Sequence, residues 1–298
     1  MKGPFYSVGP IKNVVLYASD VTDFINEVRD VLLSCNWTLV SSSTASGGTP
    51  TYILKSYPTP LVYNQFRVRL ILGETNYVYF YISDENGDDE QFCGGITIHP
   101  NKQLRCLAGP HQFFIFLDLS IYPVPAFLSH NNVMAGCPNV VNEAHSQVFW
   151  GQGDIGFFTT AGSTFRDRLA GGNFSSFLIN DITPWTGTFP DLLGNTANCF
   201  PTLLSQRGIN LDEPVLFPNN NAAIIEPILV MGRVPNNYYS ATLWDAMVVS
   251  KPFSVKQVVE MDGYRWESFT LSIEHSVVGC LFLVTERLET RSVGSYAH

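Results

Sequence analysis

Hydrophobic positions first recur at helical spacing near the start of the chain. Apolar residues one and two turns apart form a single stripe that comprises Val21, Phe24, Ile25, Val28, Val31 and Leu32. Ser19 and Asp20 precede this stripe and offer an N-cap, and Asp23 adds a negative charge in the first turn. The pattern predicts one amphipathic helix that packs on a following sheet.

From Trp37 onward the period of the pattern changes to two. Alternation and turn residues predict strands at Trp37–Val40, Tyr52–Lys55, Phe66–Leu72, Tyr77–Ser83, Gly94–Ile98, Gln103–Leu107 and Phe113–Ile121. The Ser/Thr/Gly stretch Ser41–Pro50 is predicted as a loop, and His99–Lys102 as the turn of a hairpin. Alternation also places Tyr77, Tyr79 and Tyr81 on one face of their strand.

Three apolar runs lie between Thr242 and Arg287 and predict the closing strands. Asp262-Gly263 lies inside the second run and predicts a tight hairpin, because glycine adopts a positive φ without strain. Together the patterns predict a mainly β (α+β) protein. Its antiparallel sheets are expected to be β-sandwich-like, with one amphipathic N-terminal helix.

The two prolines of Tyr122-Pro123-Val124-Pro125 suggest a boundary. We expect a helix-plus-antiparallel-sheet domain at 1–125 and a β-rich, loop-rich domain at 126–298, or else one interlocked unit.

The amino-acid composition limits the classes of function that fit this chain. Hydrophobic residues make up 45% of the 298 positions and charged residues only 14%, and the net charge is −9. An acidic chain without a basic cluster argues against nucleic-acid binding. Low charge suits a protein that buries surface in an oligomer. Neither a secretory start nor a bilayer-length apolar run is found, and the six scattered cysteines are expected to be free and buried.

One acidic cluster spans residues 84–90. The oxygens of Asp84, Asn86, Asp88 and Glu90 alternate as in a calcium loop, but Asp89 stands where such a loop needs glycine. A solvated hairpin tip is the preferred interpretation, and calcium is the alternative.

Aromatic residues beside Asn and Asp are what a carbohydrate site requires, and Trp150, Trp185, Tyr238 and Tyr239 are the candidates. Trp150 opens a Trp-Gly-Gln-Gly-Asp stretch, which predicts a tight turn with a packed ring.

No catalytic residue is predicted. The chain contains neither a Gly-x-Ser-x-Gly elbow nor a His-Glu-x-x-His motif, and its histidines lie singly. A carboxylate pair of a glycosidase does not show in sequence, so Asp154, Asp167 and Asp181 would be the first residues to test. We expect a non-enzymatic protein without a cofactor.

Several short motifs resemble structural proteins of tailed bacteriophages. They are Asn36-Trp37-Thr38-Leu39 after the helix, Arg67-Val68-Arg69, Phe149-Trp150-Gly151-x-Gly153-Asp154, Phe165-Arg166-x-x-Leu169, Leu243-Trp244-Asp245-Ala246, Asp262-Gly263-x-x-Trp266 and Gly279-Cys280-Leu281-Phe282-Leu283. The resemblance implies a virion protein of the tail, neck or baseplate, made in the host cytoplasm. Its partners would be copies of itself and other virion proteins, with neither nucleic acid nor membrane.

Two other functions stay open. One is a carbohydrate-binding adhesin or tip module that contacts a host surface glycan. The other is a particle-borne cell-wall hydrolase.

Overall fold

A computed structural model describes residues 6–44, 48–59, 65–73, 76–88, 90–98, 103–117, 132–137, 139–140, 150–153, 178–179, 225–234, 237–249, 258–273 and 276–288. These residues form one helix and three antiparallel sheets, so the predicted mainly β fold with one N-terminal helix is confirmed. No described helix is long and apolar enough to span a bilayer.

The helix α1 (Val21–Ser34) begins where the sequence predicts. Asp20 is its N-cap, and the carboxylate of Asp20 accepts the backbone N–H of Asp23 at 2.9 Å. The six residues of the predicted apolar stripe are the buried residues of the helix. The amphipathic pattern therefore determined both the position and the orientation of α1.

The first sheet has the order β1-β7-β8-β9-β11-β12. Its strands are β1 (Lys12–Leu16), β7 (Leu104–Ala108), β8 (Gln112–Leu117), β9 (Asn132–Gly136), β11 (Trp150–Gly153) and β12 (Leu178–Ile179). Strands from both sides of residue 125 share this sheet, since β9 pairs with β8. The division into two domains stays a prediction, and the shared sheet favours the alternative of one interlocked unit.

The second sheet runs in chain order through β2 (Thr38–Thr44), β3 (Pro50–Lys55), β4 (Phe66–Leu72), β5 (Tyr77–Asp84) and β6 (Gln91–Thr97). The third sheet has the order β10-β14-β17-β16-β15, and β13 also pairs with β14. Its strands are β10 (Asn139–Val140), β13 (Ile225–Val234), β14 (Asn237–Val249), β15 (Val258–Met261), β16 (Tyr264–Ile273) and β17 (Ser276–Arg287).

The first sheet is packed on both faces. One face shares a core with α1 and the second sheet, in which Phe24, Phe80 and Phe113 are fully buried. The other face meets the third sheet, because Arg105 of β7 binds Glu267 of β16. All five residues of β7 are buried, as expected for a strand covered on both sides.

The Asp262-Gly263 hairpin is confirmed. Met261 pairs with Tyr264 across a two-residue turn in which φ is 54° at Asp262 and 80° at Gly263.

Three local predictions are wrong. Residues 41–44, predicted as loop, continue β2, because backbone pairing with β3 holds this polar stretch. The strands on either side of the predicted hairpin turn His99–Lys102 do not pair, since β6 and β7 belong to different sheets. Local pattern cannot distinguish a hairpin from a crossover, because both need two strands and a turn. Trp150–Gly153 is a strand paired with β9 and β12 rather than a tight turn.

Candidate functional site

The outward face of the second sheet is aromatic. Tyr77, Tyr79 and Tyr81 lie along β5 and are half-buried, while Val78, Phe80 and Ile82 of the same strand point into the core. Phe92 of the neighbouring β6 completes the group, which we call the tyrosine face. Outward positions of an antiparallel sheet are usually polar, so aromatic residues there mark this surface as distinctive.

The rings of the tyrosine face contact each other. Ring centroids are 5.0 Å apart for Tyr77 and Tyr79 and 5.5 Å apart for Tyr79 and Phe92, and both pairs meet edge to face. The tilted rings of Tyr81 and Phe92 have centroids 5.4 Å apart. Edge-to-face contacts at these distances are favourable. The face is therefore a connected cluster of rings.

Two glycines let the rings lie close to the backbone. A Cβ at Gly95 would lie 2.4 Å from the ring of Tyr77, and one at Gly73 would lie 2.5 Å from the ring of Tyr79. A side chain at either position would displace a tyrosine.

Arg69 lies at one side of the tyrosine face. The Arg69 guanidinium lies 4.4 Å from the centroid of the Tyr81 ring, and its Nε donates to Glu90 at 2.8 Å. A cation over an aromatic ring is attracted by the negative ring face. Apolar side chains of Ile53 and Ile71 lie on the same outward side of β3 and β4, where they pair with Arg69 and Tyr79.

A second feature is buried: a row of polar contacts joins the first and third sheets, which we call the polar seam. Arg105 holds Glu267 through two hydrogen bonds of 2.6 and 2.5 Å, and its Nε donates to Asn13 at 2.7 Å. The side chain of Gln112 donates to the carbonyl oxygen of Trp244. Buried polar groups that pair in this way fix the relative position of two sheets.

The seam continues to the N-terminal segment. Asp245 is 5% exposed and has a φ of 50°, and its carboxylate accepts the backbone N–H of Ser7 at 2.9 Å as well as the Ser7 hydroxyl. Burial raises the pKa of Asp245 to about 6, although the bonds from Ser7 oppose the rise. Nearby, Tyr6 stacks on Tyr264 with ring centroids 3.9 Å apart. The segment before β1 is thus fastened to the third sheet.

His111 lies fully buried beside the seam, with its ring 4.8 Å from that of Trp244. Its Nδ1 donates to the carbonyl oxygen of Tyr57 at 3.0 Å. Burial lowers the pKa of His111 to about 4, because it penalises the charged ring more than the bond to Tyr57 favours it. His111 is therefore neutral at pH 7.

The described residues of the stretch 84–90 lie at the tip of the β5–β6 hairpin, where the preferred interpretation places them, but Asp84 is buried rather than solvated. Oδ1 of Asp84 accepts the backbone N–H groups of Asn86, Gly87 and Asp88 at 2.9, 2.8 and 2.7 Å. Glu90 is bound to Arg69. Within the described part of the chain, no three His, Cys, Asp or Glu side chains form a group that could hold a metal ion. The alternative calcium site stays a prediction.

Asp84→Ala is expected to lower the free energy of unfolding by about 1–3 kcal/mol, because the backbone N–H groups of Asn86, Gly87 and Asp88 lose the carboxylate as an acceptor. Asp84→Asn keeps an acceptor oxygen in place and is the matched control, with a smaller loss. Thermal unfolding of both variants with and without calcium measures this. A stabilisation of the wild type by calcium that Asp84→Ala abolishes would instead support the metal site.

The predicted carbohydrate site stays a prediction, because only the strands that hold three of its residues are described. Trp150 lies on β11 of the first sheet, and Tyr238 and Tyr239 lie on β14 of the third. Trp185 lies outside the described residues, as do the carboxylates Asp154, Asp167 and Asp181.

Four of the six cysteines are buried thiols, as predicted: Cys35, Cys93, Cys106 and Cys137. Burial raises the pKa of the Cys35 thiol to about 11, which makes it a poor nucleophile.

Sequence reasoning missed the polar seam. Its one local signal was a single acid inside an apolar run, Asp245 in Leu243-Trp244-Asp245-Ala246, because an acid at such a position needs a partner. Nothing local identifies Ser7 as that partner.

No protein-family model and no curated protein matches this chain.

Proposed function

We propose that this chain is a non-enzymatic structural component of a tailed-phage virion, placed in the tail, neck or baseplate and assembled by symmetric packing. The tyrosine face is the observation that carries the proposal. Protein interfaces are enriched in tyrosine and depleted in lysine, and this face holds tyrosines where a solvated sheet would hold charged residues. The motif resemblance gives the proposal its biological setting.

The low charge of the chain supports the same function. Charged residues make up 14% of the sequence, against about 25% in ordinary soluble domains. Each unpaired charge that an interface buries is costly, so a subunit with few charges assembles at lower cost. Closed rings require surfaces that are complementary and repeat around a symmetry axis.

The test is mass spectrometry of density-purified particles, with the copy number determined against the major capsid protein. Detection at a multiple of three or six copies per particle supports the proposal. Protein that is free in the lysate and absent from particles overturns it.

Ile71→Lys is expected to weaken association or incorporation at least about tenfold, because an unpaired charge in an interface costs more than about 1.4 kcal/mol. Ile71 lies on the outward side of β4 opposite Tyr79, so the lysine would extend over the tyrosine face. Ile71→Val, which keeps the face apolar, is the matched control. Copy number per particle is the readout, and equal incorporation of both variants contradicts this use of the face.

A carbohydrate-binding tip module is the second candidate. The observation that favours it is the same row of rings, since aromatic rings with hydroxyl groups also suit sugars. A glycan array with the wild type, Tyr81→Ala and Trp150→Ala distinguishes the two candidates. A signal that one of these variants removes supports sugar binding, and the absence of any signal excludes it for the glycans tested.

A further inference from the structure

We infer that β2 is a contact edge between copies of this chain: two β2 strands pair antiparallel across a two-fold axis, and the two second sheets become one continuous sheet. The inference rests on the proposed function in one respect, because it names a contact of the assembly proposed above.

The first argument for this contact is the position of β2 at the edge of its sheet. It is the terminal strand of the second sheet, and no described residue pairs with its outer side. All seven of its residues are exposed. The opposite edge strand, β6, lies against β9 and β11 of the first sheet. An edge strand presents a row of backbone donors and acceptors that another strand satisfies.

The second argument is the amino-acid sequence of β2. Its sequence, Thr-Leu-Val-Ser-Ser-Ser-Thr, contains no charge and no proline, the two devices that commonly protect an edge. The edge strand of the third sheet, β15, does carry a charge, since its Glu260 binds Arg265. A bulge at Val40 interrupts the pairing with β3, but Ser41–Thr44 continue in regular register. This regular stretch is suited to accept a strand.

Charge identifies the occupant as a second copy. The whole chain carries a net charge of −9, so copies repel each other over much of their surface. No Asp, Glu, Lys or Arg occurs between Asp30 and Lys55, and β2 lies in the middle of this uncharged stretch. Two copies that meet there bring no like charges into contact. Because β2 is polar but uncharged, it is complementary to itself.

Geometry sets the register of the pair. In one continuous sheet, the tyrosine faces of both copies lie on the same side. This requires that the two residues opposite each other in the β2 pair have side chains on the same face of the sheet. Pairing centred on Ser42 meets this condition, with Ser42 opposite Ser42 and Ser41 opposite Ser43. Hydroxyl side chains opposite each other form favourable cross-strand pairs. The tyrosine faces would then lie on one extended surface.

Three variants at Ser42 test the inference in the purified full chain. Ser42→Lys and Ser42→Glu each place like charges about 5 Å apart across the axis, and Ser42→Thr is the uncharged control. Analytical ultracentrifugation over a concentration series measures association, and thermal unfolding checks the fold. We expect the wild type and Ser42→Thr to form dimers, each charged variant to associate at least tenfold more weakly, and an equal mixture of the two charged variants to recover the dimer.

A wild type that stays monomeric, charged variants that associate like the wild type, or a mixture that stays monomeric overturns the inference. If the wild type is monomeric but Ser42→Lys alone fails to enter particles, the occupant is another virion protein. The copy number in particles tests the proposed function separately. If the protein forms dimers but is absent from particles, the β2 contact stands and the proposed virion function is wrong. If Ser42→Lys and the wild type enter particles equally well, only the β2 contact is wrong.

Discussion

Glu267→Ala is expected to lower the free energy of unfolding by about 3–5 kcal/mol, the usual cost of removing one partner of a buried ion pair. The side chains of Arg105 and Glu267 are each 9% exposed. Truncation at Glu267 removes from the buried Arg105 guanidinium the carboxylate that accepts two of its hydrogen bonds, and this lost ion pair is the source of the reduced stability. Chemical denaturation at neutral pH measures the effect.

The same sheet offers a matched control, Glu286 of β17. Glu286 binds Arg265 at the surface, where both side chains are well exposed, so Glu286→Ala should change stability far less. A double variant, Arg105→Met with Glu267→Leu, should recover most of the loss because it buries no charge. Equal losses for Glu267→Ala and Glu286→Ala would show that the pair does not join the first and third sheets as described.

Asp245→Asn is expected to stabilise the protein at pH 7 and to leave it unchanged near pH 4. The folded state holds the proton of Asp245 up to a pKa of about 6, whereas the unfolded state releases it near 3.8. The wild type therefore loses stability as the pH rises from about 4 to about 6. Because one pKa unit is worth about 1.36 kcal/mol, the loss is about 3 kcal/mol. Asparagine avoids this loss, still accepts the Ser7 N–H and tolerates the φ of 50°.

His111 has the opposite pH dependence in the same range. Its pKa is lowered from 6.5 to about 4, so the unfolded state binds the proton more readily and stability rises with pH from about 4 to about 6.5. The two contributions offset each other in the wild type. The stability of Asp245→Asn should therefore rise with pH over this range more steeply than that of the wild type.

Denaturation at pH 4, 5, 6 and 7 measures the difference between Asp245→Asn and the wild type. Asp245→Ala is the control that loses both bonds to Ser7, and it should be less stable than Asp245→Asn at every pH. A difference between Asp245→Asn and wild type that does not vary with pH would contradict the assignment of the titration to Asp245.

The polar seam determines which side chains are available for assembly. Its contacts use buried charges to hold the third sheet, so they are not exposed to a neighbour. The tyrosine face and β2 belong to the second sheet, in which the residues of β2 are exposed and the three tyrosines are half-buried. Loss of the seam should therefore reduce stability, whereas changes on β2 should reduce association alone.

The local sequence determined much of the secondary structure of this protein. The spacing of Val21, Phe24 and Ile25 placed the helix and its buried side, since a helix folds its apolar stripe toward whatever core is present. Asp262-Gly263 determined a hairpin because the turn requires positive φ at both residues. The alternation along β5 predicted that the tyrosines share one face of the strand. The local sequence did not predict that this face would be only half-buried.

Tertiary structure decided the order of the strands and the partners of the buried charges. β6 and β7 follow each other in the chain but lie in different sheets, because core packing rather than turn chemistry selects the neighbour of each strand. Arg105 and Glu267 lie far apart in sequence, as do Ser7 and Asp245. Such pairs form only after the sheets have stacked, so periodicity, which reports on a few neighbouring residues, contains no information about them.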